Sequence, residues 1–401
     1  MISNGEKKVL VLTSIYPADD VRKEWTPVVH YFVREWVKSG VEVRVVNYVS
    51  RFPKLAYWAA RLFKEIISSK ECFAIGVSPL KEREYVLDGV NVARFPLRKF
   101  RPHGCFSERE ISKAVKKTKA YCLDNGFRPD VIVSHWSNPQ LAVMAELKAY
   151  YGCRTVYVAH DDFHFEFFGK NEDTYLQAVD KIGFRSAGIK RNFETEPRYI
   201  KPSFMCYSGI PSEYVDAGRK KSFREISRFV FVGNLIGRKY PSEIIEALAT
   251  SFKGGSFSMV YIGAGNESEK VRDTAVRLNV EGSVHLLGRQ KRERVIRCLD
   301  ESDVFVMISR DETFGLVYLE AMSRGCIVIA SRNEGFDGII RDGENGFLCE
   351  AGNSHELAAI ITRIRKMPLE TIQRISDAAI RPASGLTDEK AAACYLSEIM
   401  E

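Results

Sequence analysis

The sequence predicts an α/β protein built from two doubly wound domains with mainly parallel sheets. Short apolar strands alternate with helical segments along nearly all of the 401 residues, which is the pattern of βαβ units with right-handed crossovers. The length suits two domains, at roughly 150 residues for an ordinary domain. A polar stretch without periodicity at 210–227 separates the two halves and is the predicted linker.

The first βαβ unit has the clearest local signals. KVLVLTSIYP at 8–17 is predicted to be a buried strand that ends in a loop. Thr26-Pro27 supplies an N-cap residue and a proline at the first helical position, so a helix is expected to begin there. Gly40 ends that helix, and VEVRVV at 41–46 is the next strand.

Further strands are predicted in both halves, with helices between them. A capping box of Ser107 and Glu110 begins one of these helices. The predicted strands lie at 90–95, 130–136, 155–160 and 204–209 in the first half, and at 228–234, 258–263, 284–288, 304–309 and 326–331 in the second.

Composition excludes several classes of protein. Hydrophobic residues make up 45% and charged residues 28% of the chain, which is typical of globular proteins and not of disordered or fibrous ones. No apolar run approaches the ~20 residues of a membrane-spanning helix, and the first residues do not resemble a secretory signal. The nine cysteines form no C-x-x-C pair, so reduced thiols in a cytoplasmic protein are expected.

The positive charge is concentrated in the first half. Residues 1–200 hold 32 Lys and Arg against 24 Asp and Glu, whereas the rest of the chain holds 27 against 28. Segment 51–67 places its apolar residues on one helical face. We expect either an ordinary helix that packs on the core or, together with nearby cations, a surface that rests on an anionic membrane. Those cations are Arg94, Arg98, Lys99 and Arg101.

The strongest functional signal lies at 303–346. A buried strand ends at Ser309, and a helix is expected to begin at about 313–315. The free N–H groups of a helix start form a seat for phosphate, and Gly315 lets a ligand approach the backbone. Glu312 and Glu320 flank this seat, and each carboxylate can accept hydroxyl donors. The arrangement suits a nucleotide-sugar.

Three weaker signals follow other strands. Arg238 and Lys239 lie at the start of a helix after 228–234, where two cations could neutralise a diphosphate or simply form a solvated basic loop. A G-x-G at 263–265 lies at the end of the predicted strand 258–263 and is by itself typical of a turn. His160 ends a strand; it is either a structural histidine or a site residue, and Asp161, Asp162 and His164 beside it raise the weaker alternative of a metal site. His135 ends another strand and is interpreted as structural.

With these residues in view, the chain resembles the retaining nucleotide-sugar glycosyltransferases of the GT-B fold, glycosyltransferase family four. The resemblance spans about residues 8–367 and is strongest after 228. Its most specific element is E-x(7)-E, from Glu312 to Glu320 in ETFGLVYLEAMSRG.

The resemblance implies a role for each motif residue. Glu312 would contact the donor sugar and Glu320 the ribose. The backbone of Thr313, Phe314, Gly315, Leu316 and Val317 would cradle the diphosphate. Lys239 and Arg238 would bind the phosphates, the loop at Arg289 would read the base, and His160 would lie near the reacting sugar. Glu312, Lys239 and His160 are the expected catalytic residues; Gly233 and Asn234 complete the expected donor site.

Two departures from the family pattern bear on these roles. Asn234 stands where the family has an Arg after the glycine, and Arg238 is the candidate to replace it. The glycine-rich loop that often follows the first strand is absent, which weakens any inference about the acceptor.

The implied fold is GT-B, with two Rossmann-like domains facing across a cleft. Residues 1–212 would form the acceptor domain and 213–382 the donor domain, with 383–401 crossing back onto the first. The implied activity is metal-independent, retaining transfer of a hexose-type sugar to a glycan or lipid-linked acceptor, in surface polysaccharide synthesis. No cofactor or metal is expected, and a UDP-sugar is favoured over a GDP-sugar.

Other functions remain as alternatives. An epimerase or phosphorylase of the same fold, or a non-catalytic sugar-binding member, would keep the architecture. A nucleic-acid binder would use the basic half, but no recognition motif for nucleic acid is present.

Overall fold

The structure is a computed structural model that describes residues 7–21, 27–62, 78–101, 104–160, 171–215, 221–253 and 255–401. The chain divides into two compact units. The first contains the residues up to Phe184, with Phe193–Cys206 and Ala392–Glu401, and the second contains Arg185–Asn192 and Tyr207–Ala391. The sequence had placed these divisions at 212 and 383.

The first unit is built on an eight-stranded sheet in the order β3-β4-β2-β1-β5-β6-β7-β8. All neighbours pair in parallel except β3 and β4, which are antiparallel at one edge. The strands are β1 (Lys8–Thr13), β2 (Glu42–Arg51), β3 (Arg83–Leu87), β4 (Val90–Arg98), β5 (Val131–His135), β6 (Arg154–Ala159), β7 (Lys181–Phe184) and β8 (Ser203–Met205).

Amphipathic helices alternate with the strands of this sheet. Ser107 caps one of them by accepting a hydrogen bond from the Glu110 N–H, as the capping box predicted. Thr26 lies outside the described residues. The helices whose residues lie wholly or largely in this unit are α1 (Val28–Lys38), α2 (Lys54–Leu62), α3 (Glu108–Asp124), α4 (Gln140–Tyr151), α5 (Glu172–Gln177) and the C-terminal part of α13 (Asp388–Met400).

The second unit is built on a parallel six-stranded sheet. Its order is β11-β10-β9-β12-β13-β14, which is the doubly wound order 3-2-1-4-5-6. The strands are β9 (Arg228–Val232), β10 (Ser258–Ile262), β11 (Val284–Leu286), β12 (Val304–Val306), β13 (Ile327–Ser331) and β14 (Phe347–Cys349).

The helices on the second sheet bury its apolar strands on both faces. The central strand β12 has no exposed residue, as expected of a parallel sheet covered on both sides. The helices are α6 (Ala187–Glu194, continuing into the first unit), α7 (Pro241–Ser251), α8 (Ser268–Arg277), α9 (Arg292–Glu301), α10 (Leu316–Ser323), α11 (Ser354–Lys366), α12 (Leu369–Gly385) and the start of α13.

Two α/β units with parallel sheets confirm the predicted fold class. Three short strands were not predicted, namely β3, β7 and β14. β3 forms an antiparallel hairpin with β4 through Asp88 and Gly89, both of which have positive φ. Within the described ranges, no helix is long and apolar enough to cross a bilayer.

Candidate functional site

The candidate site in the second unit lies where the strand order reverses. β9 and β12 are neighbours in the sheet. After β9 the chain continues to β10 on one side of this pair, and after β12 it continues to β13 on the other side. Ligands of doubly wound sheets bind at such a switch point, beyond the carboxyl ends of the strands. The loops after β9 and β12 carry most of the residues that the sequence singled out.

Lys239, Arg238 and Glu312 form a compact charged cluster. The Glu312 Oε2 atom lies 3.3 Å from Lys239 Nζ and 3.5 Å from a terminal nitrogen of Arg238. Lys239 is only 9% exposed, whereas Arg238 is open to solvent on one side. Two cations therefore share one carboxylate, and the cluster keeps an excess of positive charge.

Backbone hydrogen bonds hold this cluster in place. Gly237–Lys239 forms a single 3-10 turn that ends at Tyr240, in a left-handed conformation with φ of 49°. The Arg310 N–H donates to the Arg238 carbonyl at 2.7 Å. The Arg238 guanidinium donates in return to the Arg310 and Asp311 carbonyls, at 3.1 and 3.2 Å. The loops after the two strands are thus joined directly.

The helix after Glu312 begins later than predicted. It starts at Leu316, and Gly315 is its N-cap with φ of 81°. An added Cβ at Gly315 would lie 2.6 Å from the Tyr318 ring, so only glycine fits. Thr313 and Phe314 belong to the loop, so the N-cap lies at the C-terminal end of the predicted range 313–315.

The segment still presents unused backbone donors. Among the described residues, the N–H groups of Thr313, Gly315, Leu316 and Val317 have no hydrogen-bond acceptor, whereas that of Tyr318 donates to the Gly315 carbonyl. Unpaired N–H groups at a helix start attract anions.

The side chain of Phe314 is not available to a ligand. Phe314 is buried, with its ring 5.6 Å from Tyr207 and 5.4 Å from Phe336. Its side chain therefore anchors the loop in the core, and only its backbone can take part in binding.

Glu334 is a site residue that the sequence analysis missed. Its Oε2 accepts a hydrogen bond from the Glu312 N–H at 2.9 Å. The residue lies in a loop after β13, and no local pattern relates it to Glu312. Burial, together with the nearby Glu312 and Glu334 carboxylates, raises the pKa of Tyr318 well above its ordinary value. Tyr318 therefore stays protonated and donates to the Met307 carbonyl at 2.7 Å.

Glu320 lies one turn into α10 and is 3% exposed. Its Oε1 forms an ion pair with Arg292 at the start of α9, and the guanidinium of Arg292 stacks on the Tyr214 ring at 4.9 Å. Its Oε2 is buried and has no hydrogen-bond partner within the part of the chain that the structure describes. A buried carboxylate oxygen without a donor is costly, so a hydroxyl donor that reached this atom would stabilise it.

The remaining predicted donor-site residues line the same strand ends. Gly233 follows β9, and its N–H donates to the Ile262 carbonyl at 2.9 Å. Asn234 and Arg289 are exposed in the loops after β9 and β11. The G-x-G after β10 serves packing, because a Cβ on Gly263 would lie 1.8 Å from the Gly233 carbonyl oxygen.

In the first unit, His160 belongs to a buried group of rings. His135 and His160 follow neighbouring strands, and their Nδ1 and Nε2 atoms are 2.8 Å apart. The ring of Trp136 stacks on His160 at 4.0 Å, and the Tyr395 hydroxyl lies 3.2 Å from His135 Nε2. The sequence suggested each histidine separately but gave no sign that they touch.

The metal alternative at Asp161, Asp162 and His164 lies outside the described residues. Among the residues that are described, no group of three or more His, Cys, Asp or Glu side chains could hold a metal ion.

Of the residues that the membrane alternative placed on the surface of the first unit, some are buried and some are exposed. Arg94 does not face a membrane: it is fully buried and forms a bidentate ion pair with Asp20, at 2.7 and 2.6 Å. On α2, Tyr57 is buried, whereas Leu55 and Trp58 are 74% and 60% exposed. Residues 63–67 of the predicted helix lie outside the described residues.

Comparison with known proteins found similarity to glycosyltransferases. The family model described as "Glycosyl transferases group 1" matches residues 219–381. The chain is 30% identical over 167 residues to N-acetyl-alpha-D-glucosaminyl L-malate synthase of Bacillus anthracis, covering 42% of this chain and 41% of that protein. It is also 30% identical over 179 residues to the lipopolysaccharide core biosynthesis glycosyltransferase LpsE of Rhizobium meliloti, covering 39% and 51%. The matches thus span about half of these relatives or less.

Solved structures resemble the whole chain. The lipopolysaccharide outer core galactosyltransferase WaaB has a TM-score of 0.66 at 16% identity, covering 98% of this chain and 99% of that one. Anabaena Alr3699/HepE in complex with UDP has a TM-score of 0.68 at 18% identity, with the same coverage. At such identities the likeness concerns the fold. Residues 219–381 are therefore similar to the group 1 glycosyltransferases, and the fold of the chain is GT-B.

Proposed function

We propose that the protein transfers a hexose-type sugar from a nucleoside-diphosphate sugar to a glycan or lipid-linked acceptor, with retention of the anomeric configuration and without a metal ion. The relatives named in lipopolysaccharide biosynthesis support a role in surface polysaccharide assembly. The observation that carries the proposal is the cluster of Lys239, Arg238 and Glu312 beside the free N–H groups of 313–317.

The cluster suits the departure of a diphosphate. Negative charge grows on the leaving phosphate as the bond to the sugar breaks, and fixed donors aimed at such charge are usually the largest catalytic contribution. Lys239 and Arg238 supply two positive charges, and the backbone of 313–317 supplies neutral donors. These groups could stabilise the negative charge of the leaving diphosphate without a divalent ion, which supports the metal-independent form of the proposal.

Glu312 is proposed to orient the donor sugar. Its carboxylate is held between the two cations, and its N–H is held by Glu334. The loop can therefore keep its position while the carboxylate accepts sugar hydroxyls. His160, in the first unit, is proposed to support a sugar hydroxyl or phosphate oxygen on the strength of the resemblance.

Glu320 is proposed to bind the ribose of the donor. Its buried Oε2 has no described partner, so a ribose hydroxyl would satisfy it. The exposed loop at Arg289 would contact the base. We favour uridine, because a neighbour of the same fold is a complex with UDP.

The proposal is tested first by ligand binding. Thermal unfolding is measured with UDP, GDP, ADP and their common sugars, with and without EDTA. A ligand that binds only the folded state at 100 times its Kd stabilises it by ~2.7 kcal/mol. We expect UDP and UDP-sugars to stabilise the protein to the same extent with and without EDTA. No stabilisation by any nucleotide would reject the donor site in favour of a non-catalytic member of the fold.

The stereochemistry is tested on the product. With the donor that binds, the anomeric configuration is read by NMR, and retention is expected. An inverted product would refute the retaining mechanism, and a free epimerised sugar nucleotide would favour the epimerase alternative. Loss of turnover on EDTA treatment, restored by Mg²⁺, would refute metal independence.

We further propose that the first unit contacts an anionic membrane through a basic–aromatic patch. The patch lies where β2 and β4 end side by side, since Arg51 pairs with Arg98 across the two strands. Phe100, two residues after β4, is 83% exposed, and Leu55 and Trp58 are exposed on α2, which follows β2. Arg51, Lys54, Arg98 and Arg101 in the same segments are exposed cations, and this combination favours the interface of an anionic bilayer. The patch consists of Arg51, Lys54, Leu55, Trp58, Arg98, Phe100 and Arg101.

Flotation with liposomes tests this surface. We expect binding to vesicles that contain phosphatidylglycerol, weaker binding at high salt, and loss of binding in a Trp58→Ala/Phe100→Ala variant. Tyr150→Ala is the matched control, because Tyr150 is an exposed aromatic residue of the same unit outside the patch. Absence of flotation at low salt would refute membrane contact and leave a soluble glycan as the acceptor.

A further inference from the structure

His135 and His160 lie in one buried row with Tyr395. β5 ends at His135 and β6 just before His160, and the two strands pair in parallel, so both histidines reach the same edge of the sheet. The His135 Nδ1 atom is 2.8 Å from His160 Nε2, and the His135 Nε2 atom is 3.2 Å from the Tyr395 hydroxyl. All three side chains are almost entirely buried. The row therefore uses both ring nitrogens of His135.

The surroundings fix the planes of these rings. Trp136 stacks on His160 with 17° between the planes. Trp136 itself is held in a left-handed conformation, with φ of 66°, and its carbonyl accepts a hydrogen bond from Ser134 Oγ at 3.1 Å. Such a conformation is uncommon for a bulky residue and costs energy. It places an indole face against the imidazole of His160.

Apolar rings pack around the other end of the row. The Tyr395 ring lies 5.1 Å from Phe32, 4.9 Å from Trp36 and 5.5 Å from Phe204. The indole N–H of Trp36 donates to the Ala392 carbonyl at 2.8 Å, which fixes this stretch of α13 in the first unit. The phenol is thus held at one place and aimed at His135.

The order of donors along the row follows from the chemistry of its groups. Between a phenol and a neutral imidazole, the phenol O–H is the stronger donor and the bare ring nitrogen the stronger acceptor. Tyr395 therefore donates to His135 Nε2, and a neutral His135 then carries its proton on Nδ1. That proton can only be donated to His160 Nε2, which must be an acceptor. A neutral His160 in this row carries its proton on Nδ1.

We propose that Tyr395 and His135 are positioning residues that hold His160 in its Nδ1-protonated tautomer. His160 then carries its proton on the nitrogen that faces away from His135. In this way a residue of the last helix sets the hydrogen-bonding character of a residue at a strand end 235 positions earlier in the sequence. The catalytic consequence rests on the proposed function, whereas the tautomer does not.

NMR of protein with ¹⁵N-labelled histidine tests the tautomer directly. The chain has seven histidines, and the signals of His160 are assigned by their loss in His160→Gln. We expect His160 and His135 both to be protonated on Nδ1 and unprotonated on Nε2 in the wild-type protein. A His160 protonated on Nε2, or on both nitrogens at neutral pH, would overturn the proposal whether or not any variant folds.

Variants then test whether Tyr395 and His135 set the tautomer of His160. Tyr395→Phe removes one hydroxyl and should convert His160 into a mixture of tautomers. His135→Asn can still donate an amide N–H towards His160 and should retain the tautomer. Tyr48→Phe is the matched control, because Tyr48 is another buried tyrosine of this unit and bonds instead to Thr118 at 2.6 Å. An unchanged His160 in Tyr395→Phe would refute the role of Tyr395.

Kinetics separates the positioning role from the proposed function. If the protein transfers sugar, Tyr395→Phe should lower kcat by roughly five- to tenfold, the usual effect of one neutral hydrogen bond, with little change in the KM for the donor. A higher KM for the donor with an unchanged kcat would refute the positioning role. If the wild-type protein transfers no sugar, the proposed function fails, while the tautomer result stands separately.

Discussion

Replacing Lys239 by methionine tests the charged cluster most sharply. Methionine keeps most of the buried stem and removes the charge, so that packing changes little. The Lys239 Nζ lies 3.3 Å from Glu312 Oε2 in a largely buried place. At an effective dielectric constant of about 20, two unit charges at such a distance interact by roughly 4–5 kcal/mol before desolvation is subtracted. In the variant, Arg238, which lies 3.5 Å from the same oxygen, still attracts the Glu312 carboxylate.

Two effects of different size are therefore expected from Lys239→Met. Turnover should fall by roughly 10²–10³, because one donor to the leaving phosphate is lost. The free energy of unfolding should fall by roughly 1–3 kcal/mol, because Glu312 loses one partner in a buried setting. In a Lys239→Met/Glu312→Gln protein the unfolding free energy should recover, since no carboxylate charge is left, whereas turnover should stay low.

The assay combines urea denaturation with donor turnover under saturating nucleotide-sugar. Lys366→Ala is the control for loss of a positive charge, because Lys366 is exposed at the end of α11. Near-normal turnover in Lys239→Met would refute the assigned role. A double variant as unstable as the single one would show that the instability comes from lost packing and not from the Glu312 charge.

Three further predictions concern other residues. Arg292→Ala should lower the unfolding free energy by roughly 1–3 kcal/mol in urea denaturation, because buried Glu320 loses its ion pair; an unchanged midpoint would contradict this. Gly315→Ala should reduce both stability and nucleotide binding, since it adds backbone strain of roughly 1–2 kcal/mol to a steric clash, as thermal unfolding with UDP would reveal. The Arg94 guanidinium lowers the pKa of Asp20 below its ordinary value, so this pair stabilises the fold above the unfolded-state pKa, and the contribution is lost as pH falls through the folded pKa. Acid unfolding of Asp20→Asn should be less steep in that range than that of the wild type.

The sequence alone determined the alternation of strands and helices in both halves. Buried parallel strands are continuous apolar runs, and capping residues such as Ser107 act within one turn, so both signals are local. It also predicted that Glu312 and Glu320 lie near one helix start, because they share a motif and are eight residues apart; Glu312 precedes the N-cap Gly315, and Glu320 lies one turn into α10. Lys239 and Glu312, which lie on separate motifs, were both predicted to contact the donor.

Only the tertiary structure decided which distant residues meet. Glu334 holds Glu312, and Arg292 holds Glu320, across strand–helix units whose separation in sequence has no period. Arg94, one of the cations named in the membrane alternative, is buried and is neutralised by Asp20. Tyr395 reaches His135 from the last helix. Such contacts form only when whole strands and helices pack together. They join residues that are close in space but far apart in sequence, so no local sequence pattern indicates them.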